Sequence, residues 1–267
     1  VVVVGYGTEK RANLTGAVST IDEKAIEGKP VTNSYQALQG ESSGLIIQNT
    51  TSKPGSIPQI NIRGISTING NTPLIVVDGV ISSLNNINPS NIESISVLKD
   101  AASAAIYGSR AANGVILVTT KNGKKGKPRF TYQTMFGIQE PTNFPKFASS
   151  WEYATLRNEA LINSGMAPAF TPEQILNFKE NGPDVNWNRE IYKDIALQNN
   201  HNLSMSGADN GLNYLVSLGY LDQESLFKGP DYGYQRYNAR INLEKEINDK
   251  FKMGGRMSFA RNDIKDH

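Results

Sequence analysis

Cysteine is absent from the chain, which excludes disulfides and thiol catalysis. That absence suits an oxidising periplasm, although cysteine-free cytosolic proteins are also common. Histidine is almost absent: His201 and His267 are the only two, too few for a histidine triad or a histidine metal cluster. Strong net charge is missing as well. With 27 basic residues against 25 acidic ones, the net charge is +2, and nothing in that balance asks for nucleic acid or a strongly acidic ligand. Long apolar runs are lacking too. Hydrophobic residues make up 38% of the chain, and no window reaches the ~18–20 apolar residues of a transmembrane helix, so any membrane contact must use strands or a surface helix. Paired catalytic groups are equally scarce. Asp22 and Glu23 are adjacent and read as a solvated turn, and Ser103 and Ser109 have no base partner, so no enzyme, cofactor or metal is expected. The chain starts at VVVV with no initiator Met, charged n-region or apolar h-region, so it is expected to be a mature or trimmed piece whose export signal lies outside it.

The chain does contain a compact α/β unit. Asn91 to Thr120 reads as strand, capped helix, glycine turn and strand. Ile92–Leu98 alternates, Asp100 is placed to cap a helix through Tyr107, Gly108 supplies its stop, and Gly114–Thr120 closes the unit. Upstream, short strands are expected at Ala17–Ile21, Leu45–Gln48, Gln59–Ile62, Leu74–Val77 and Val80–Ile81. Asp78-Gly79 is a turn signal between the last two, and a short helix over Thr32–Gln39 is expected to stop at Gly40. The run Lys121–Arg129 is polar, glycine-bearing and without periodicity, and marks a boundary.

Beyond it the period changes to two. Phe130, Tyr132, Thr134 and Phe136 share one face. Leu203 and Met205 alternate with Asn202, Ser204 and Ser206, and Leu212, Tyr214, Val216, Leu218 and Tyr220 line one face of the next run. Tyr237, Ala239, Ile241 and Leu243 oppose Asn238, Arg240, Asn242 and Glu244, and Phe251, Met253, Met257 and Phe259 oppose Lys252, Arg256 and Ser258. A soluble sandwich and a membrane barrel both give such alternation. The connections run long, short, long, short, as in outer-membrane barrels with tight periplasmic turns and long outer loops. The first, from Ile138 to Asn202, carries helix candidates at Trp151–Asn163 and from Thr171, where Thr171 and Gln174 form a capping box with Pro172 at the first position. Tyr220, Phe227, Tyr232 and Tyr234 are expected at one rim and Phe251 at the other.

Several motifs, in order, resemble the TonB-dependent outer-membrane transporters, more narrowly their SusC/RagA-like branch: VVVVGYGT with TGAVS, NIRG, PLIVVDG, IESISVLKDAASAAIYGSRAANGVILVTTKNGKKG, NHNLSMSG and LGYLDQESLFKG. The resemblance implies an α+β plug domain followed by antiparallel strands of an outer-membrane β-barrel, incomplete here because the family's barrel has about 22 strands. It places a TonB-box arm and tether at residues 1–15, the plug at 16–127, and the first barrel strands at 128–267 with a helical extracellular loop at about 139–199.

The same resemblance implies TonB-dependent import of an oligosaccharide or peptide nutrient across the outer membrane. The implied partners are the C-terminal domain of TonB in the inner-membrane energising complex, a SusD-like surface lipoprotein and outer-membrane lipid. Val1, Val2, Val3 and Val4 resemble the TonB box, and their β-branched run suits strand addition to a partner's sheet edge. An ordinary edge strand of the plug is the plainer alternative. Arg63 and Asp78 are candidates for plug–barrel contact. Arg63 ranks first, because the DG setting already explains Asp78 as a turn residue. Trp151, Tyr153, Trp187 and Tyr192 are candidates for ligand or lid contact, although aromatics at helical spacing usually pack their own core. The basic run at 121–129 lacks interleaved aromatics and reads as a solvated linker. A soluble α/β plus β-rich binding or adhesion module stays open as the second reading.

Overall fold

Alternating faces and turn residues dictate most of the architecture. The computed structural model describes residues 2–4, 7–9, 18–26, 29, 31–64, 72–100, 104–124, 126–229, 232–248 and 250–265. Val1 lies outside them, as do most of the tether and residues 101–103 of the expected Asp100–Tyr107 helix. Near the start, β1 (Val2–Val4) pairs antiparallel with β2 (Gly7–Glu9), with Val3 opposite Thr8. The valine arm therefore forms a hairpin with its own chain.

The next elements are β3 (Val18–Asp22), α1 (Glu23–Ile26), α2 (Ser34–Ala37), β4 (Leu45–Gln48), β5 (Gln59–Ile62), β6 (Leu74–Val77), β7 (Val80–Ile81), β8 (Ile92–Leu98) and β9 (Val115–Thr120). They build a five-stranded sheet in the order β3-β8-β9-β6-β7 and a separate β4–β5 hairpin. Pairing is antiparallel except between β6 and β9. Central strands read as continuous apolar runs because both faces are covered. Ile116 and Val118 of β9 join one core with Ile95, Val97, Ile75 and Leu84, while Val115 and Leu117 join another with Leu74, Val76 and Leu98. Asp78 (φ 49) and Gly79 (φ 87) both adopt the left-handed conformation, so the β6–β7 link is the primed hairpin turn that a DG pair favours. Of the helix expected between Asp100 and Gly108, the described part has Ala104 helical, its amide donating to the Asp100 carbonyl at 3.2 Å, followed by a 3-10 stretch, Ala105–Ala111, that Gly108 breaks with φ 69.

Five long strands follow: β10 (Gly126–Gln139), β11 (Ala196–Asp209), β12 (Leu212–Glu224), β13 (Gly233–Asn248) and β14 (Phe251–Lys265), hydrogen-bonded in that order as an open sheet. β10 begins inside the basic run, so the linker is shorter than the expected 121–129. Asn210 (φ 48) and Gly211 (φ 74) make the tight β11–β12 turn. The chain divides into two compact units. The first is Val1–Gly137, Leu197–Ser225 and Asp231–His267; the second is Ile138–Ala196 with Leu226–Pro230.

The second unit holds α3 (Ser150–Asn163), α4 (Pro172–Glu180) and α5 (Trp187–Ile191). The Thr171–Gln174 capping box is formed, as is a second one between Ser149 and Glu152. In that box Glu152 accepts from the Ser149 amide and hydroxyl, which holds its carboxyl below the usual range.

Candidate functional site

Strand β13 turns its even-numbered residues toward the α/β unit, and these are polar: Arg236, Asn238, Arg240 and Asn242, all buried. Arg240 Nη1 lies 2.9 Å from Asp78 Oδ2, with side chains only 8% and 6% exposed. The β6–β7 turn aims Asp78 so that it also accepts from the Thr120 amide at 2.9 Å and the Thr120 hydroxyl at 2.7 Å. One carboxylate thus closes the end of β9 and receives a cation from the strand sheet. A buried pair of this kind costs desolvation on both sides, and its value lies in its geometry and its extra hydrogen bonds.

Neighbouring rows continue the junction. Arg236, fully buried, donates to the Asn85 and Thr32 carbonyls at 2.9 and 3.3 Å. Asn242 Nδ2 donates to Thr120 Oγ1 at 3.0 Å and the Lys121 carbonyl at 2.8 Å. Asn91 Nδ2 donates to Ser217 Oγ at 2.8 Å, and Asn262 Nδ2 to Asn86 Oδ1 at 3.2 Å. The linker fits under the sheet only because residue 123 is glycine. A Cβ there would stand 2.5 and 2.6 Å from the Tyr214 carbonyl oxygen and amide nitrogen, too close for any backbone to absorb without moving.

The opposite face of the sheet is apolar, and strand register resolves it into rows. Met205, Val216, Ile241 and Met257 form one row, and Leu203, Leu218, Ala239 and Phe259 the next. Then come His201, Tyr220, Tyr237 and Arg261, followed by the polar row Asn199, Asp222, Gln235 and Asp263. Tyr132, His201, Tyr220 and Tyr237 stack in succession across four strands, with ring centroids 6.1, 6.4 and 5.1 Å apart. These side chains are open: Met257 and Phe130 are each 71% exposed. Leu212 to Tyr220 covers roughly 26 Å along the strand at ~3.3 Å per residue, close to the apolar band of ~25 Å on outer-membrane barrels.

Sequence-selected residues separate into those the junction uses and those it does not. Asp78 lies at its centre. Arg63 (φ 60) directly follows β5 with an exposed side chain, and among the described residues no carboxylate pairs with it. Arg63 neighbours Lys99, whose amine donates to Ser19 Oγ and the Ser43 carbonyl; burial, then the Arg63 charge, push that amine below its usual range. Val2–Val4 are the arm's paired strand.

Of the aromatics, Trp151 is covered by Lys179 Nζ at 5.2 Å from its ring, and Tyr192 packs between Phe144 and Phe227 at 5.4 and 4.8 Å. These two serve the second unit's own packing, while Tyr153 and Trp187 stay exposed. Phe227 belongs to that unit, and Tyr234 is buried on the inward face with its hydroxyl donating to Asn262 Oδ1 at 2.8 Å, so Tyr234 does not join the expected rim. Arg236, Thr120 and Asn85 escaped the sequence reading. The run Asn238, Arg240, Asn242 on the polar face of β13 was the available signal.

Comparison with known proteins agrees with this geometry. A family model described as TonB-dependent Receptor Plug Domain matches residues 10–115. A TonB-dependent receptor of Formosa agariphila is 37% identical over 268 residues, covering 97% of this chain and 26% of that protein. The TonB-dependent receptor SusC of Bacteroides thetaiotaomicron is 33% identical, covering 97% and 26%. The RagAB peptide importer in its "open-open" state superposes with a TM-score of 0.78 at 30% identity, over 98% of this chain and 32% of that one. The chain spans about a quarter of the length of the curated relatives it matches.

Proposed function

The chain belongs to the SusC/RagA-like TonB-dependent receptors, and on that premise we propose that the protein containing it imports a nutrient across the outer membrane. The α/β unit acts as a plug, the long strands as part of the barrel wall, and a pull on the arm by TonB displaces the plug. The supporting observation is the two-faced sheet, clamped to the plug by Arg240, Arg236 and Asn242 and apolar toward the other side. A water-soluble module would have to cover that apolar face.

Cargo is an oligosaccharide or a peptide, both too large for passive porins. Tyr153 and Trp187, both exposed, would stack on sugar or on a SusD-like lipoprotein lid. Arg63 is left for carboxylates on other parts of the wall. Val1 to Val4 supply the strand that TonB's sheet edge would take up. The test is deletion of Val1–Val4 in the full-length protein: substrate binding is expected to persist and energised uptake to vanish. Uptake that survives the deletion overturns the proposal.

A further inference from the structure

Two cavities lie along the seam between plug and wall. The larger, of about 520 Å3, is bordered by Val31 and Asn88 of the plug and by Thr134, Asn200 and Asn202 of the wall. The smaller, of about 320 Å3, is bordered by Lys124, Lys127 and Arg129 and reaches Ser204 and Ser206 of β11. Glu23, Ser90, Lys121 and Gln133 line both. Within that shared lining, Glu23 Oε1 and Lys121 Nζ stand 2.8 Å apart.

The partners of this pair are anchored differently. Lys121 is fixed by its backbone, its amide donating to the Asn91 carbonyl at 2.8 Å and its carbonyl accepting from Asn242 of the wall at 2.8 Å. Glu23 opens α1, directly after β3. β3 is an edge strand, paired only with β8 over five residues, and it is the first plug strand after the arm. A force drawn along the chain from the arm reaches β3 and α1 before any other part of the plug sheet, and it carries Glu23 away from a stationary Lys121.

We propose that the Glu23–Lys121 ion pair is a gate closing a polar passage along the plug–wall seam, opened when β3 and α1 are drawn off and the two cavities join. The passage suits polar solutes with apolar patches, because its lining sets amides and hydroxyls such as Asn88, Asn200 and Thr134 beside Ile26, Val31 and Met135. Its smaller end is biased toward anions by Lys121, Lys124, Lys127 and Arg129, against Glu93 once Glu23 has gone. The source of the pull rests on the TonB reading above; the gate itself does not.

Two experiments on the full-length protein test it. In planar bilayers without TonB, Glu23→Gln and Lys121→Gln are each expected to raise basal conductance about fivefold, the shift that losing a part-buried ion pair allows. The Glu23→Gln variant should favour anions, and the exchanged pair E23K/K121E should return to the wild-type level. In cells, E23C/K121C joined by a reducible bis-thiosulfonate cross-linker should bind substrate but fail to import it until reductant is added. Single variants with wild-type conductance, an exchanged pair that leaks like the singles, or import through the cross-linked protein would each overturn the gate. No TonB enters the bilayer measurement, so its failure counts against the gate alone; arm-independent uptake counts against the TonB reading alone.

Discussion

Arg240 and Asp78 meet at 2.9 Å although 162 positions separate them in the chain. Each is buried against the other, and each would be an uncompensated charge without it. Asp78→Ala is therefore expected to destabilise the plug's seating by about 3–5 kcal/mol, the range for removing one partner of a buried pair. The double variant D78L/R240M should recover most of that loss. Hydrogen exchange over β6–β7 and β9 in the full-length protein is the measurement: fast exchange in the single variant and near-native protection in the double one are expected. Equal exchange in both would mean that the pair does not hold this edge.

Gly123→Ala tests the close approach of the linker to the sheet. Its Cβ would meet the Tyr214 backbone at 2.5 and 2.6 Å, and backbone cannot rotate aside as a side chain can. A loss of about 1–3 kcal/mol, typical of overpacking, is expected, together with new proteolytic cleavage between Lys121 and Lys124.

Acid should loosen the same corner. The hydrogen bond and charge of Lys121, then Lys124 and Arg129, hold the Glu23 carboxyl below its usual value near 4.5. A depressed carboxylate contributes stability that is fully present above its unfolded pKa and is lost as pH falls through the folded one. The contribution is at most about 1 kcal/mol for so accessible a pair, and Glu23→Gln should remove it at neutral pH. The protection factor of the α1 amides, exchange measured relative to the intrinsic rate at each pH, is the check: it is expected to be flat down to about pH 5 and to fall below it, and a profile identical in the Gln variant would refute it.

The apolar rows predict depth. Arg at Ile241, in a row with Met205, Val216 and Met257, should cost about 2–4 kcal/mol of folding into vesicles, and Arg at Asn199, one row beyond the tyrosines, no more than about 1. Equal costs would show that the stripe is not facing hydrocarbon.

The arm's hairpin must open before a partner strand can take its place. Val3 and Thr8 are direct antiparallel partners, close enough for a disulfide. V3C/T8C is expected to abolish uptake when oxidised and to restore it on reduction, with substrate affinity unchanged throughout. Full uptake by the oxidised protein would mean that the hairpin persists during transport.

Much of this was legible in the chain, because it depends on neighbours in sequence. Leu74–Val77, Val80–Ile81 and the turn between them follow from an apolar run, a DG pair and β-branched residues. The Thr171–Gln174 box follows from residue types three apart, and the two faces of β13 from period two. The break at Gly108 follows from glycine's freedom to take φ 69, while the tightening of Ala105–Ala111 to a 3-10 stretch has no signature in residue type.

Sequence by itself determined which residues would lie on an apolar and which on a polar face, since strand geometry sends alternate side chains to opposite sides regardless of partner. Tertiary structure alone decided that Asp78 receives the Arg240 cation from the strand sheet, and that Arg236 rests on plug carbonyls. Those contacts join residues 162 and 151 positions apart. Their desolvation is offset only because each partner meets the other's charge or carbonyl inside the fold, which no local pattern encodes.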